Sequence, residues 1–202
     1  MPSFCRMEWS AVQAGLLALA LSPGLCEAQT QSAQSLPLPA VAQHDGQHDF
    51  DFLVGSWKIH LKRRLHPLSG SNEWVEFDGT VVCHKVWDGR AELEQFDVDS
   101  PEQHIQIHGI ALRLYNPKSH QWRIYWANAD KGALDPQPVV GEFNNGRGEF
   151  FDQEEYEGRA ILVRYQWTAT TSNVPHFEQS YSADGGKTWE VNWITDQRKV
   201  KP

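Results

Sequence analysis

Gly55-Ser56-Trp57-Lys58-Ile59-His60-Leu61-Lys62 alternates residue by residue. Trp57, Ile59 and Leu61 are apolar, and Lys58, His60 and Lys62 between them are polar. Successive side chains of a strand point to opposite faces, so this run reads as a half-buried strand. The same period of two recurs down the chain. Val75, Phe77, Val81 and Cys83 keep phase across Gly79, and Ile110, Leu112 and Leu114 share a face. Trp122, Ile124 and Trp126 follow, then Val163, Tyr165 and Trp167, then Phe177 with Tyr181, then Trp189, Val191 and Trp193. Asn116-Pro117-Lys118-Ser119, Asn145-Gly146, Glu157-Gly158 and Asp184-Gly185-Gly186 lie between the runs and read as turns. No convincing helical stripe interrupts them, and residues 48–54 have room for one short turn before the first strand. About eight to ten short strands joined by tight turns form an antiparallel meander. Closing it into an up-and-down β-barrel removes the exposed edges, which favours a barrel over an open sandwich.

The N-terminal segment has a different character. Arg6 precedes a compact apolar run at residues 11–21, followed by Ser22-Pro23-Gly24 and a small residue, Ala28. This is the layout of a secretory leader, 1–28, and the run is too short to span a bilayer, which takes about 20 residues. Residues 29–45, rich in Gln, Ser, Ala and Pro, read as a flexible linker. One domain, 46–202, fills the rest. The expected location is therefore secreted or periplasmic. Cleavage after Ala28 discards Cys5 and Cys26, leaving Cys83 alone and no internal disulfide. Such a domain relies on burial, for which its length is sufficient.

The formal net charge is −8. Loss of the leader removes one Arg and two Glu and leaves the balance acidic. That argues against nucleic acid as a partner, and against membrane surfaces once the leader is gone.

Gly55-Ser56-Trp57 at the head of the first strand is similar to the G-x-W signature of lipocalins and calycins. More widely, the chain from about His48 resembles secreted calycin-like barrels with no assigned activity. The likeness rests on the stretch from His48 to Trp57, on Ala111-Leu112-Arg113-Leu114-Tyr115-Asn116-Pro117 with the Trp122-x-Ile124-x-Trp126 block, and on residues 182–193. It implies a barrel whose Trp57 closes one end and whose Arg198, just past the last strand, stacks on that indole. Lys58-Ile59-His60 stand where a nitrobindin-type haem protein would extend the motif, and no cofactor is expected.

Three other patterns invite functional readings. Ser182-Ala183-Asp184-Gly185-Gly186-Lys187-Thr188-Trp189 matches an Asp-box, but it occurs once, with no repeat around it. It reads as a braced hairpin turn. His104 and His108 have a helical metal-ligand spacing. On a strand, four residues separate their Cα atoms by about 13 Å, too far for a shared ion. His44 and His48, with Asp45 and Asp49, border the linker, and no metal site is expected. Arg113, Arg123, Arg164, Glu178, Glu190 and Asn192 oppose the aromatic phases and read as an outer, ion-paired face.

Most of the tryptophans fall in strands, where stacked rings can line a cavity for a flat or apolar molecule. Trp122, Trp126, Tyr165, Trp167 and Trp193 are the candidate ligand-binding residues, with His108 in phase with Ile110, Leu112 and Leu114. Three functions fit. The first is a small-molecule binding protein. The second is an enzyme on the same barrel, using His108 as acid or base and an Arg to hold a carboxylate or enolate. The third is an interaction protein without a cavity. The leader reading has its own test: exported protein should begin at Gln29 on N-terminal sequencing, and a start at Met1 would remove it.

Overall fold

The computed structural model describes residues 44–200, apart from 169 and 173. The expected leader and all but the last two residues of the expected linker lie outside the described residues. Two 3₁₀ turns, Gly46–His48 and Asp51–Leu53, precede eleven strands. These are β1 (Gly55–Arg64), β2 (Trp74–Val86), β3 (Ala91–Ser100), β4 (Ile105–Asn116), β5 (Gln121–Asn128), β6 (Ala133–Leu134), β7 (Val139–Asn144), β8 (Arg147–Tyr156), β9 (Arg159–Thr168), β10 (His176–Ser182) and β11 (Glu190–Lys199). Their order is β4-β3-β2-β1-β11-β10-β9-β8-β7-β5, with β4 also pairing β5. Ten strands thus close an antiparallel barrel, and β6 is a short flap on β5.

Two hairpins show how local chemistry sets the register. Asn144 pairs with Arg147 around Asn145-Gly146, whose φ values are 52° and 77°. Tyr156 pairs with Arg159 around Glu157-Gly158, at 51° and 75°. Two positive φ values in a two-residue loop give a tight turn whose twist matches the strands it joins. The Asp-box is also a braced loop. Asp184 accepts hydrogen bonds from the Ser182 and Thr188 hydroxyls and from the Thr188 N–H, and Trp189 donates to the Gly186 carbonyl.

The inward phases of β1, β2, β5 and β9 follow the sequence reading. Trp57, Ile59, Leu61, Phe77, Val81, Cys83, Trp122, Ile124, Val163 and Trp167 are all buried. Strand β4 takes the opposite phase. Ile107, Ala111, Arg113 and Tyr115 are buried, whereas His108 is exposed and Ile110 is 37% exposed. Apolar residues occupy both phases here, so alternation alone does not choose between them. Gly109 does. A Cβ there would lie 2.2 Å from the Trp126 ring, which occupies the space over the glycine. Arg113 and Asn192, expected on the outer face, are 2% and 3% exposed. A bulge between Gln179 and Ser180 breaks the β10–β11 register opposite Asn192. It separates Trp189, packed against Phe151 and Arg164, from the inward Trp193.

The N-terminal segment plugs one end of the barrel. Phe50 is fully buried and meets the rings of Trp122, Phe143, Phe150 and Trp167. Two indoles hold the backbone of the plug: Trp122 Nε1 donates to the Gly46 carbonyl at 2.8 Å, and Trp57 Nε1 to that of Leu53 at 2.6 Å. His44 and Asp45, the end of the expected linker, are engaged too. His44 pairs with Asp49, and the Tyr115 hydroxyl donates to Asp45 at 2.6 Å.

The first and last strands pair, as the resemblance implied, but Arg198 does not stack on Trp57. The antiparallel register sets Trp57 opposite Lys199 and sets Arg198 opposite Lys58, on the outer phase. The Lys199 ammonium lies 5.2 Å from the Trp57 ring. A cation over an indole contributes about 0.5–1 kcal/mol at an exposed site. In urea unfolding, Arg198→Ala should therefore stay within about 0.5 kcal/mol of wild type. Phe50→Ala should lose about 3–5 kcal/mol, since the plug would be left with a void in its ring cluster.

Candidate functional site

Away from the plug, the barrel encloses a cavity of about 390 Å³. That lies within the range of small-molecule sites, about 300–1,000 Å³. Its wall is aromatic. Trp126 and Trp193 flank Phe96 at centroid distances of 5.8 and 6.0 Å, and Phe177 contacts both Tyr165 and Trp167 at 5.2 and 4.7 Å. Nearer the open end, Tyr156 and Tyr181 pair at 5.4 Å. The rim combines Arg63 at the end of β1, Lys131 and Asp135 in the connection from β5 to β7, and Glu154 on β8. Burial pushes the Tyr165 phenol well above its usual range and that of Tyr181 up to about 12, so both keep their protons.

The floor is polar. Arg113 Nη2 donates to Glu94 Oε2 at 2.8 Å, and its Nη1 lies 3.9 Å from both Glu92 Oε2 and Cys83 Sγ. The guanidinium carbon sits 5.0 Å from the Phe50 ring and 5.7 Å from that of Trp167. The plug therefore covers one side of a cation that also forms the cavity floor. Cys83 Sγ–H donates to Glu92 Oε2 at 3.6 Å. Burial holds this thiol well above its usual range, which makes it a poor nucleophile. Burial also pushes the Glu92 carboxyl up to about 7, against the downward pull of Arg113.

Four of the expected ligand-binding residues, Trp126, Tyr165, Trp167 and Trp193, line this one cavity. Trp122 is 1% exposed and belongs to the plug cluster instead. His108 is on the outer surface, hydrogen-bonded to Asp97 at 2.9 Å. Among the described residues, no histidine lines the cavity. His60, between Asp78 and Glu76 of β2, and His176, between Asp196 of β11 and Glu178 of its own strand, also sit with carboxylates on the outer phase. These carboxylates raise both histidine pKa values against the opposing effect of burial. Among the described residues, no three His, Cys, Asp or Glu side chains are grouped to hold a metal ion. Sequence reasoning did not single out Glu92, Glu94 or Gln197, and it placed Arg113 and Asn192 on the outer face. For Arg113, the available signal was Gly109, which fixes the phase of β4.

No protein-family model matches the chain, and neither does any curated protein. Solved structures do. One is Rv2717c from M. tuberculosis, at a TM-score of 0.51 and 11% identity, covering 77% of this chain and 98% of that one. Another is an S-type phycobiliprotein lyase, CPES, from Guillardia theta, at 0.50 and 13%, covering 79% and 95%. The fold is a calycin-like barrel. At these identities the likeness shows the fold and nothing of the chemistry inside it.

Glu92 gives the floor a measurable pH dependence. Its folded pKa lies above the ordinary carboxylate value of 4.5, so the folded state holds the proton more tightly than the unfolded chain. The stability that this group contributes is full below pH 4.5 and is lost as the pH rises through about 7. Glu92→Gln should therefore be more stable than wild type at pH 8 by denaturant unfolding, with the difference closing near pH 4.5. Equal stability at pH 8 would mean that the carboxyl is not desolvated.

Proposed function

We propose that this protein is a binding protein for a small, flat, largely aromatic molecule, held in the barrel interior at the end away from the plug. One observation carries the reading: ring side chains from β3, β5, β8, β9, β10 and β11 face a common enclosed space. A barrel interior that served stability alone would be filled to crystal-like density, as it is around Leu61 and Val81. Here a void of ligand size is kept, walled by rigid amphipathic rings that contribute large contact area at low entropic cost. Export to the periplasm or outside the cell belongs to the same proposal and rests on the leader pattern of residues 1–28.

The enzyme alternative loses the group that motivated it. His108, its acid or base, faces solvent, and the cavity holds no other imidazole. The arginine inside is already bonded to Glu94. An interaction protein without a cavity has no use for this interior.

Titration with N-phenyl-1-naphthylamine, a neutral fluorescent probe, tests the proposal. Saturable binding in the micromolar range is expected. Trp126→Ala should weaken it by about tenfold or more, equivalent to roughly 1.4 kcal/mol of lost contact. Trp189→Ala, on the outer face, should leave it unchanged. A folded protein that takes up no probe would overturn the reading.

A further inference from the structure

We infer that the cavity selects ligands carrying a cationic or hydrogen-donating nitrogen directed at Glu94, and discriminates against carboxylates. This rests on the binding reading above and adds the chemical class of the ligand.

The argument begins with which floor atoms are free. Arg113 is the only cation at the floor among the described residues, but it is sealed: it is 2% exposed, with Phe50 and Trp167 near its faces and Glu94 on Nη2. Its Nε, Trp167 Nε1, Asn192 Nδ2 and Gln197 Oε1 have no partner, but all four are fully buried in the wall. Glu94 differs. It lines the cavity and keeps 7% of its side chain exposed. Only Oε2 is engaged, by Arg113, and Oε1 has no hydrogen-bond partner among the described residues. The accessible polar atom of the floor is therefore a carboxylate oxygen, an acceptor with no donor.

Charge points the same way. Glu94 is the carboxylate that lines the floor; Glu92 is fully buried behind it, against Arg113 and Cys83. A carboxylate ligand at the floor would meet the unbonded Glu94 oxygen, while the Arg113 charge beside it is already engaged by Glu94, and like charges at short range in a low-dielectric site repel strongly. An ammonium or N–H would complete Glu94's hydrogen bonding, and a charge-assisted bond is the stronger kind. The wall favours the same ligand. Trp126, Trp193, Tyr165 and Phe177 supply ring faces, whose negative quadrupole attracts cations. The mouth carries Arg63, Arg64 and Lys131 beside Asp135 and Glu154, so the preference is set at the floor by Glu94 and not by the charge of the mouth.

Three ligands of one shape separate the possibilities: 2-(aminomethyl)naphthalene, 2-naphthalenemethanol and 2-naphthoate, each competing with bound N-phenyl-1-naphthylamine at pH 7.5. The amine should bind at least about tenfold more tightly than the carboxylate, with the alcohol between them. Glu94→Gln should bring amine and carboxylate within about threefold of each other while leaving the alcohol within about threefold of its wild-type affinity. If that variant does not fold, the wild-type ratio alone decides. A carboxylate that binds as well as the amine overturns this inference and leaves the aromatic cavity standing. Failure of the fluorescent probe itself to bind overturns the cavity reading beneath it.

Discussion

Residues 46–53 seated in one end of the barrel are the constraint on which the rest depends. A ten-stranded tube has two open ends, and the backbone that crosses an end must still satisfy its carbonyls. Here Trp122 and Trp57, rising from β5 and β1, donate their indole N–H groups to the carbonyls of Gly46 and Leu53. Phe50 then fills the axis of the barrel and touches rings contributed by β5, β7, β8 and β9. The plug turns a tube into a cup. It also sets the depth of the cup, because Arg113 packs on Phe50 from the cavity side.

A buried ion cluster directly above a hydrophobic plug is an unusual floor. Burying charges costs more than a surface pair returns, and replacing such a cluster with apolar residues is often neutral or stabilising. Its presence in a barrel with many apolar residues to spare is therefore better explained by what it offers the cavity than by stability. The cluster divides its labour. Arg113 is held by rings and carboxylates and acts as a fixed counter-charge. Glu92 faces Cys83 and lies outside the cavity lining. Glu94 reaches both the guanidinium and the open space. An aromatic wall alone selects by shape, and one accessible acceptor at the floor adds a choice of chemistry.

The outer surface has a separate logic. His60, His108 and His176 each take a carboxylate partner from a neighbouring position on the barrel exterior. His60 and His176 both flank Asp196 in the register, so charge alternates across adjacent strands there. Exposed cross-strand pairs of this kind contribute modestly to stability.

By itself, the sequence determined β1, β2, β4, β5, β9, β10 and β11, the turns between strands and the closed antiparallel architecture. These depend on local alternation and on glycines at positive φ, which a single strand or hairpin expresses without its neighbours. Trp57, Trp126, Tyr165 and Trp167 face inward for the same reason: one phase of each of their strands is polar. Where both phases carried apolar residues, as in β4, the choice fell to a contact with the paired strand β5, the Trp126 ring over Gly109. That choice moved His108 outside and Arg113 inside. The bulge at Asn192 split Trp189 from Trp193, and the β1–β11 register put Lys199 rather than Arg198 beside Trp57. Register, bulge and phase are properties of paired strands, and the ion cluster at the floor follows from the phase of β4 and its register on β3. Only the tertiary structure decided it, because Glu92 and Glu94 come together with Arg113 through cross-strand pairing that no local pattern encodes.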